Sequence, residues 1–232
     1  AVGGAVHLPY AIPNVRVTYA KVPLPIPVGY WRSVAHSQNG FVTECFFDEL
    51  AAAAKADPFE LRQKLLSEQP RLRTVLERAA QAAGWGEPLG EGRARGIAAA
   101  EAYGSFVAQV AEVSIDAGQV RVHRVTCAVD CGRAINPLSV EAQMEGGIVV
   151  GLSAALYGRI DIAKGRAVQS NFHDYPVLDM AHCPRIETIV VPSQAAVGGV
   201  GEPAVPVIAP AVCNAVHALT GKPVRSLPIE VS

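Results

Sequence analysis

Neither sign of charge is in excess: 20 basic and 21 acidic side chains leave the 232-residue chain at a net −1, with no basic run. A nucleic-acid or anionic-membrane partner needs a positive patch to neutralise phosphates, so neither is implied. Cysteine is sparse. Its five copies, Cys45, Cys127, Cys131, Cys183 and Cys213, form no Cys-x-x-Cys pair and no zinc-ligand cluster, and an odd number cannot complete a disulfide framework. The six histidines include no His-x-x-x-His pair. Long apolar runs are missing too, since the longest, 146–156, falls well short of the ~20 residues a bilayer span needs and follows Glu141 and Glu145. No internal repeat or low-complexity tract interrupts the chain. The apolar start, Ala1 to Val6, has neither an initiator methionine nor a charged flank, so it does not read as a secretory signal and is expected to be an internal cut or a processed start.

What is present is apolar content: 50% of the residues are hydrophobic, enough for the core of one large domain or two small ones. Alternation of Val15, Val17 and Tyr19 predicts a strand over 14–22, which Pro23, Pro25 and Pro27 stop. Helical spacing runs over 41–55. Asp57-Pro58-Phe59-Glu60 then combines a capping carboxylate with a first-turn proline, and Leu61, Leu65 and Leu66 form the expected buried stripe. A helix over 72–83 ends at Gly84. Strands are predicted over 97–103, 107–116 and 119–129, with Asp116-Ala117-Gly118 closing a hairpin. Asn136-Pro137 opens a long helix, 159–167 reads as a small hairpin, 186–191 as a strand, and 204–219 as a last helix stopped by Gly221. The fold class is therefore α+β, mixed sheets packed with helices. A Gly-rich loop over 85–96 separates a first segment, 1–84, from an α+β segment, 97–232, although all of it can be one structural unit.

The run Gly198-Gly199-Val200-Gly201-Glu202-Pro203 sets three glycines in four residues beside one carboxylate. Missing Cβ atoms let something large approach, and Pro203 stiffens the exit. A plainer reading is a strand-to-helix turn whose Glu202 caps the last helix, where a negative charge is stabilised. Phosphate binding fits poorly, because the run lacks both the Lys-Ser/Thr ending of a P-loop and the Gly-x-Gly-x-x-Gly spacing of a dinucleotide site.

Four blocks in order carry a family resemblance. They are Trp31-Arg32-Ser33-Val34-Ala35-His36-Ser37-Gln38-Asn39-Gly40-Phe41 with Phe47-Asp48-Glu49-Leu50-Ala51; Asn136-Pro137 through Gln143-Met144-Glu145-Gly146-Gly147; Asn171-Phe172-His173-Asp174-Tyr175-Pro176; and Gly201-Glu202-Pro203. Together they resemble the large, molybdenum-binding subunit of the xanthine dehydrogenase and aldehyde oxidase family, nearest its branch of isoquinoline 1-oxidoreductase beta subunits and periplasmic aldehyde dehydrogenases. The likeness covers nearly the whole chain but only the C-terminal part of such a subunit; the family's earlier glycine-rich cofactor segment has no counterpart.

The resemblance implies a molybdopterin-dependent oxidoreductase that hydroxylates aldehydes or N-heterocycles with water as oxygen source. Its cofactor would be molybdopterin cytosine dinucleotide carrying molybdenum, with iron–sulfur clusters on a partner chain. Other implied partners are the N-terminal portion of the same subunit, a cytochrome c and a small-molecule substrate, in the periplasm. Glu202 matches the family's catalytic glutamate. Arg32 and Ser33 match the loop beside the metal, with Ser33 where glycine more often follows the arginine. Gln143 matches the helix glutamine near the molybdenum, though by spacing alone it reads equally as a core-edge glutamine. Gly199, Val200 and Gly201 match the backbone flanking the glutamate at the cofactor. No side chain is expected to ligate the metal, and Asn171, His173 and Asp174 are expected to line or brace the entrance. The competing reading is an inert fragment or interaction domain that needs the missing N-terminal portion. Finally, the 23–28 lead, the helix face at Gly147 and Gly151, and 205–212 are expected to lack partners and to line one concave face around Glu202.

Overall fold

The structure, a computed structural model, describes residues 2–231; Ala1 and Ser232, the outer ends of the two expected segments, lie outside it. Three helices come first, α1 (Ala35–Ala53), α2 (Pro58–Leu65) and α3 (Pro70–Ala83). Then follow β1 (Arg93–Ala102), β2 (Ser105–Asp116), β3 (Gln119–Asp130), α4 (Pro137–Tyr157), the short β4 (Ile162–Ala163) and β5 (Arg166–Ala167), β6 (Arg185–Val190) and α5 (Val205–Thr220). The first three strands form an antiparallel meander whose two-residue tips, Tyr103-Gly104 and Ala117-Gly118, are both left-handed at each position, as tight hairpins demand. Strand β6 adds alongside β3 in parallel, giving the order β1-β2-β3-β6, and β4 pairs with β5 as a separate ribbon. This is the mixed α+β architecture that the patterning predicts.

Alternation along β2 assigns the faces. Phe106, Ala108 and Val110 pack with Leu72, Val75, Leu76 and Ala79 of α3, whereas Val107 and Ala111 pack with α4 and α5. The helix spacing of those α3 residues puts them on one stripe, and each fully buried Leu or Val there contributes about 1.5–3 kcal/mol. Helices on both sides of the 85–96 loop thus share the same sheet. On the opposite face, Val205 to Val216 of α5 are all buried, as an all-apolar helix must be. Its passage across β1 requires Gly96: a Cβ there would lie 2.2 Å from the Ala211 carbonyl oxygen and 2.2 Å from the Ala215 nitrogen. Pro210 brings no N–H to the helix ladder, and the carbonyl of Pro206, four residues earlier, faces Gly40 of α1.

Helix starts agree with their chemistry. Asp57 accepts hydrogen bonds from the Phe59 and Glu60 N–H groups at 2.8 and 3.0 Å, and Asn136 accepts from Ser139 at 3.2 Å. The leucine stripe of α2 is only partly right. Leu66 is buried, but the buried residue within α2 itself is Arg62, whose Nε donates to Glu44 at 3.0 Å and Nη1 to Asp48 at 2.5 Å. Burial works against the Arg62 charge, and the two carboxylates outweigh it, leaving the guanidinium more firmly protonated than usual. Glu44 also accepts from the Tyr10 hydroxyl at 2.6 Å and the Ala99 N–H at 3.0 Å, so the network ties the N-terminal arm to α1, α2 and β1.

Two expectations are overturned. Residues 14–22 form no strand: Val15, Val17 and Tyr19 are exposed, and the alternation finds no sheet edge to pair with among the described residues. The face at Gly147 and Gly151 is not unpartnered, because added Cβ atoms would press on Ala204 at 2.9 Å and Ile208 at 2.5 Å. Residues 205–212 are likewise buried against the sheet and neighbouring helices, so only the proline-rich lead over 23–28 remains exposed.

Candidate active site

The glycine run is laid onto the sheet by backbone bonds. Arg133 N–H donates to Ala195 O at 3.1 Å, Gly198 N–H to Cys131 O at 2.9 Å, and Gly199 N–H to Tyr103 O at 2.8 Å. From β2, Ser105 Oγ donates to Gly199 O at 2.7 Å. This close fit explains one glycine without any ligand, since a Cβ at Gly198 would lie 2.4 Å from Ser105 Oγ. Gly132 serves the same fit from the other side, with Ala196 O only 2.0 Å from where its Cβ would stand.

Glu202 does not cap α5. Its carbonyl accepts from Val205 N–H at 3.1 Å, one turn ahead of the helix, and no side chain caps that terminus. The carboxylate turns the other way, and its Oε1 accepts the Ser33 N–H at 2.9 Å. Ser33 is fully buried with φ at 72°, followed by Val34 at 49°. Two successive left-handed residues point the Ser33 N–H inward, a conformation that glycine adopts at less cost. That is a physical reason for glycine to be commoner after the arginine.

Arg32 joins the remaining parts. Its Nε donates to Gly201 O at 2.6 Å, and its Nη2 reaches Gln143 Oε1 at 3.1 Å in the second turn of α4. The Gln143 side chain is exposed, and its amide NH2 makes no hydrogen bond among the described residues. Arg32, Ser33, Gln143, Gly201 and Glu202, far apart in the sequence, therefore meet at one place. Gly199 adjoins them, but both its polar backbone groups are committed to the β1–β2 hairpin. The Val200 side chain packs against the core. The Asn171–Asp174 loop closes on itself, Asp174 accepting from Ser170 and Asn171 N–H groups at 2.9 Å, and is not bonded to the Glu202 cluster.

Two neighbours escaped the sequence reading. Tyr103, at the β1–β2 tip, has its phenol pushed upward in pKa by burial first and then by the Glu202 carboxylate. The His36 ring packs against it with centroids 5.2 Å apart. His36 lies within the quoted Trp31–Phe41 block without a role assigned to it, and the only sequence signal for Tyr103 was its place at the end of a predicted strand.

At the site, two glycines are not required by this chain's own packing. An added Cβ at Gly201 would meet only Gln143 Oε1 at 3.8 Å, and one at Gly146 only Arg32 Nη1 at 3.9 Å, both ordinary contacts; neither residue is left-handed. They flank Arg32 and Gln143 on their open side. Bare backbone, an unengaged amide donor and a guanidinium fit a large polar cofactor drawn close to Glu202.

Such an arrangement is suited to holding a large cofactor. Residues 37–184 match the molybdopterin cofactor-binding domain family, and the chain belongs to it. Gln143 lies inside that span, while Arg32, Ser33 and Glu202 lie outside it. Over 98% of its length the chain is 37% identical to the beta subunit of isoquinoline 1-oxidoreductase from Brevundimonas diminuta. Over 95% it is 32% identical to a nicotinate dehydrogenase subunit from Pseudomonas putida. It spans 30% of the first relative and 20% of the second. Among solved structures, the aldehyde oxidoreductase of Desulfovibrio desulfuricans shares the fold, with a TM-score of 0.67 over 86% of this chain and 40% of that one at 14% identity.

Proposed function

We propose that this chain is the C-terminal part of a molybdenum hydroxylase subunit that oxidises aldehydes or N-heterocycles with water as oxygen source. The observation that carries the reading is the Glu202 carboxylate, withdrawn from helix capping and aimed beside the Arg32–Gln143 pair and the bare backbone of Gly146 and Gly201. The cofactor is proposed to be the cytosine dinucleotide form of molybdopterin, in a subunit that works with an iron–sulfur partner and a cytochrome c in the periplasm. These finer points rest on the resemblance carried by the four sequence blocks.

When bound, the cofactor supplies the oxygen derived from water and takes up the two electrons of the oxidation. This chain's residues do the rest. Ser33 N–H holds Glu202 Oε1 and fixes the carboxylate, which would take up the proton that the oxidation releases. Arg32 fixes Gly201 through its carbonyl and orients the Gln143 amide, whose NH2 would be available as a donor to the cofactor. The backbone N–H groups of Val200 and Gly201, without hydrogen bonds among the described residues, would offer further donors.

The test is metal and pterin analysis of the purified, assembled enzyme together with dye-linked oxidation of a panel of aldehydes and N-heterocycles. Stoichiometric molybdenum with turnover is expected; a fully assembled protein with neither is an interaction domain instead. The 232-residue chain by itself is expected to be inactive, because it spans under a third of its relatives.

A further inference from the structure

We infer that residues 14–22 enter a β-sheet of the same subunit's remaining portion, with Val15, Val17 and Tyr19 turned onto that portion's core. This rests on the reading of the chain as one part of a longer subunit. Every residue from 13 to 31 is exposed, and none of 13–30 makes a hydrogen bond among the described residues. An arm that stays in water is polar, because it has no apolar surface to bury. This one carries eight large apolar side chains at more than 40% exposure between Val15 and Tyr30, the last of them 94% exposed. Its pattern is that of a strand. Val15, Val17 and Tyr19 alternate with Arg16, Thr18 and Ala20, so an extended backbone puts the three large apolar groups on one face, as in a strand with a core on one side and water on the other. Pro23, Pro25 and Pro27 withhold N–H groups, which ends the pairing segment at 22 and makes 23–28 a stiff spacer.

Both ends of the arm are fixed. At its start the Tyr10 hydroxyl donates to Glu44 at 2.6 Å and the Ala11 N–H to Leu65 O at 2.8 Å; at its end Arg32 Nε holds Gly201 O and the Ser33 N–H holds Glu202. A sheet that takes up 14–22 is thereby tied to the loop carrying Arg32 and Ser33. The outer strand of this chain does not accept the arm, because Ala99 N–H of β1 is taken by Glu44 Oε2 and Ile97 O by Asn214 Nδ2, both at 3.0 Å. A second copy offers that same blocked edge and the six-residue β6, and two arms paired only with each other form an isolated ribbon, marginal in water. The remaining portion of the subunit is the occupant that chain length supplies. This chain spans 30% of its isoquinoline 1-oxidoreductase relative, so more than two thirds of a subunit of that kind lies outside it, and covalent linkage holds that portion at high effective concentration beside the arm.

Amide hydrogen exchange in the full-length subunit tests this without calling on activity. Amides over 14–22 are expected to exchange at least ~10²-fold more slowly than an unstructured chain. Exchange at the unstructured rate overturns the inference, and protection that vanishes on dilution to a monomeric subunit overturns it in favour of a second copy. The face is tested by thermal unfolding of paired variants of the same subunit. Val17→Asp is expected to lower the midpoint by several degrees or to prevent folding, whereas Thr18→Asp, on the opposite face, stays within ~2 °C of native. Equal effects of the two substitutions overturn the placement of that face. Full molybdenum content and turnover with freely exchanging 14–22 amides remove this inference and leave the proposed function standing; slow exchange in a subunit that binds no molybdenum does the reverse.

Discussion

The Ser33 N–H donates to Glu202 Oε1 at 2.9 Å across 169 residues of sequence. The contact joins the loop before α1 to the loop before α5, and each supplies what the other lacks: a buried donor with no other acceptor among the described residues, and a carboxylate that caps no helix. Around it, Arg32 ties Gly201 and Gln143 into the same unit.

Gly201→Ala separates folding from cofactor binding. The new methyl has room within this chain, its nearest contact being 3.8 Å, so the thermal midpoint is expected to stay within about 2 °C of native. Molybdenum and pterin content of the assembled enzyme should fall severalfold, because the methyl fills the space kept bare. Gly96→Ala is the contrasting case, where a 2.2 Å clash with α5 should abolish soluble expression.

Ser33 carries backbone strain that a glycine would relieve. Because its φ is 72°, Ser33→Gly is expected to be more stable than Ser33→Ala by about 1 kcal/mol, measured by denaturant unfolding. Equal stability of the two variants would show that the left-handed conformation is not adopted.

Asp130 makes the support under the glycine run sensitive to acid. Its carboxylate accepts from Arg71 Nε and Nη2, both at 2.7 Å, and from Gly132 N–H at 2.9 Å, next to the strand end that holds Ala195 and Gly198. The Arg71 bonds hold its pKa below the usual aspartate range, despite burial. The folded state therefore binds fewer protons than the unfolded one through that window. The contribution is full above the ordinary aspartate pKa and is lost as pH falls through the depressed folded value. Asp130→Asn should cost about 2 kcal/mol at neutral pH and progressively less below pH ~4, followed by urea unfolding at several pH values. A pH-independent difference would contradict the assignment.

Much of the fold was legible because local rules and tertiary packing agree. The Asp57 and Asn136 caps, the left-handed Gly84 and Gly221 stops and the Ala117-Gly118 hairpin all follow from residues within a few positions of one another. The failures are where a pattern depends on something distant. Residues 14–22 alternate correctly, but a strand exists only with a neighbour to bond. Arg62 sits in a leucine stripe and is inverted by two carboxylates from α1. At the site, the run around Glu202 and the arginine loop were visible as blocks of sequence. That one glycine serves the Tyr103 hairpin and another leaves open space depends on the folded arrangement, since both are read as the same letter.

Turnover of Glu202→Gln in the assembled, molybdenum-loaded enzyme reports whether this carboxylate takes up the proton. The amide preserves shape and can still accept the Ser33 hydrogen bond through its oxygen, but it does not take up the proton. A loss of at least ~10²-fold in kcat is expected, with molybdenum content and thermal midpoint unchanged. Near-native turnover at full molybdenum occupancy would contradict it.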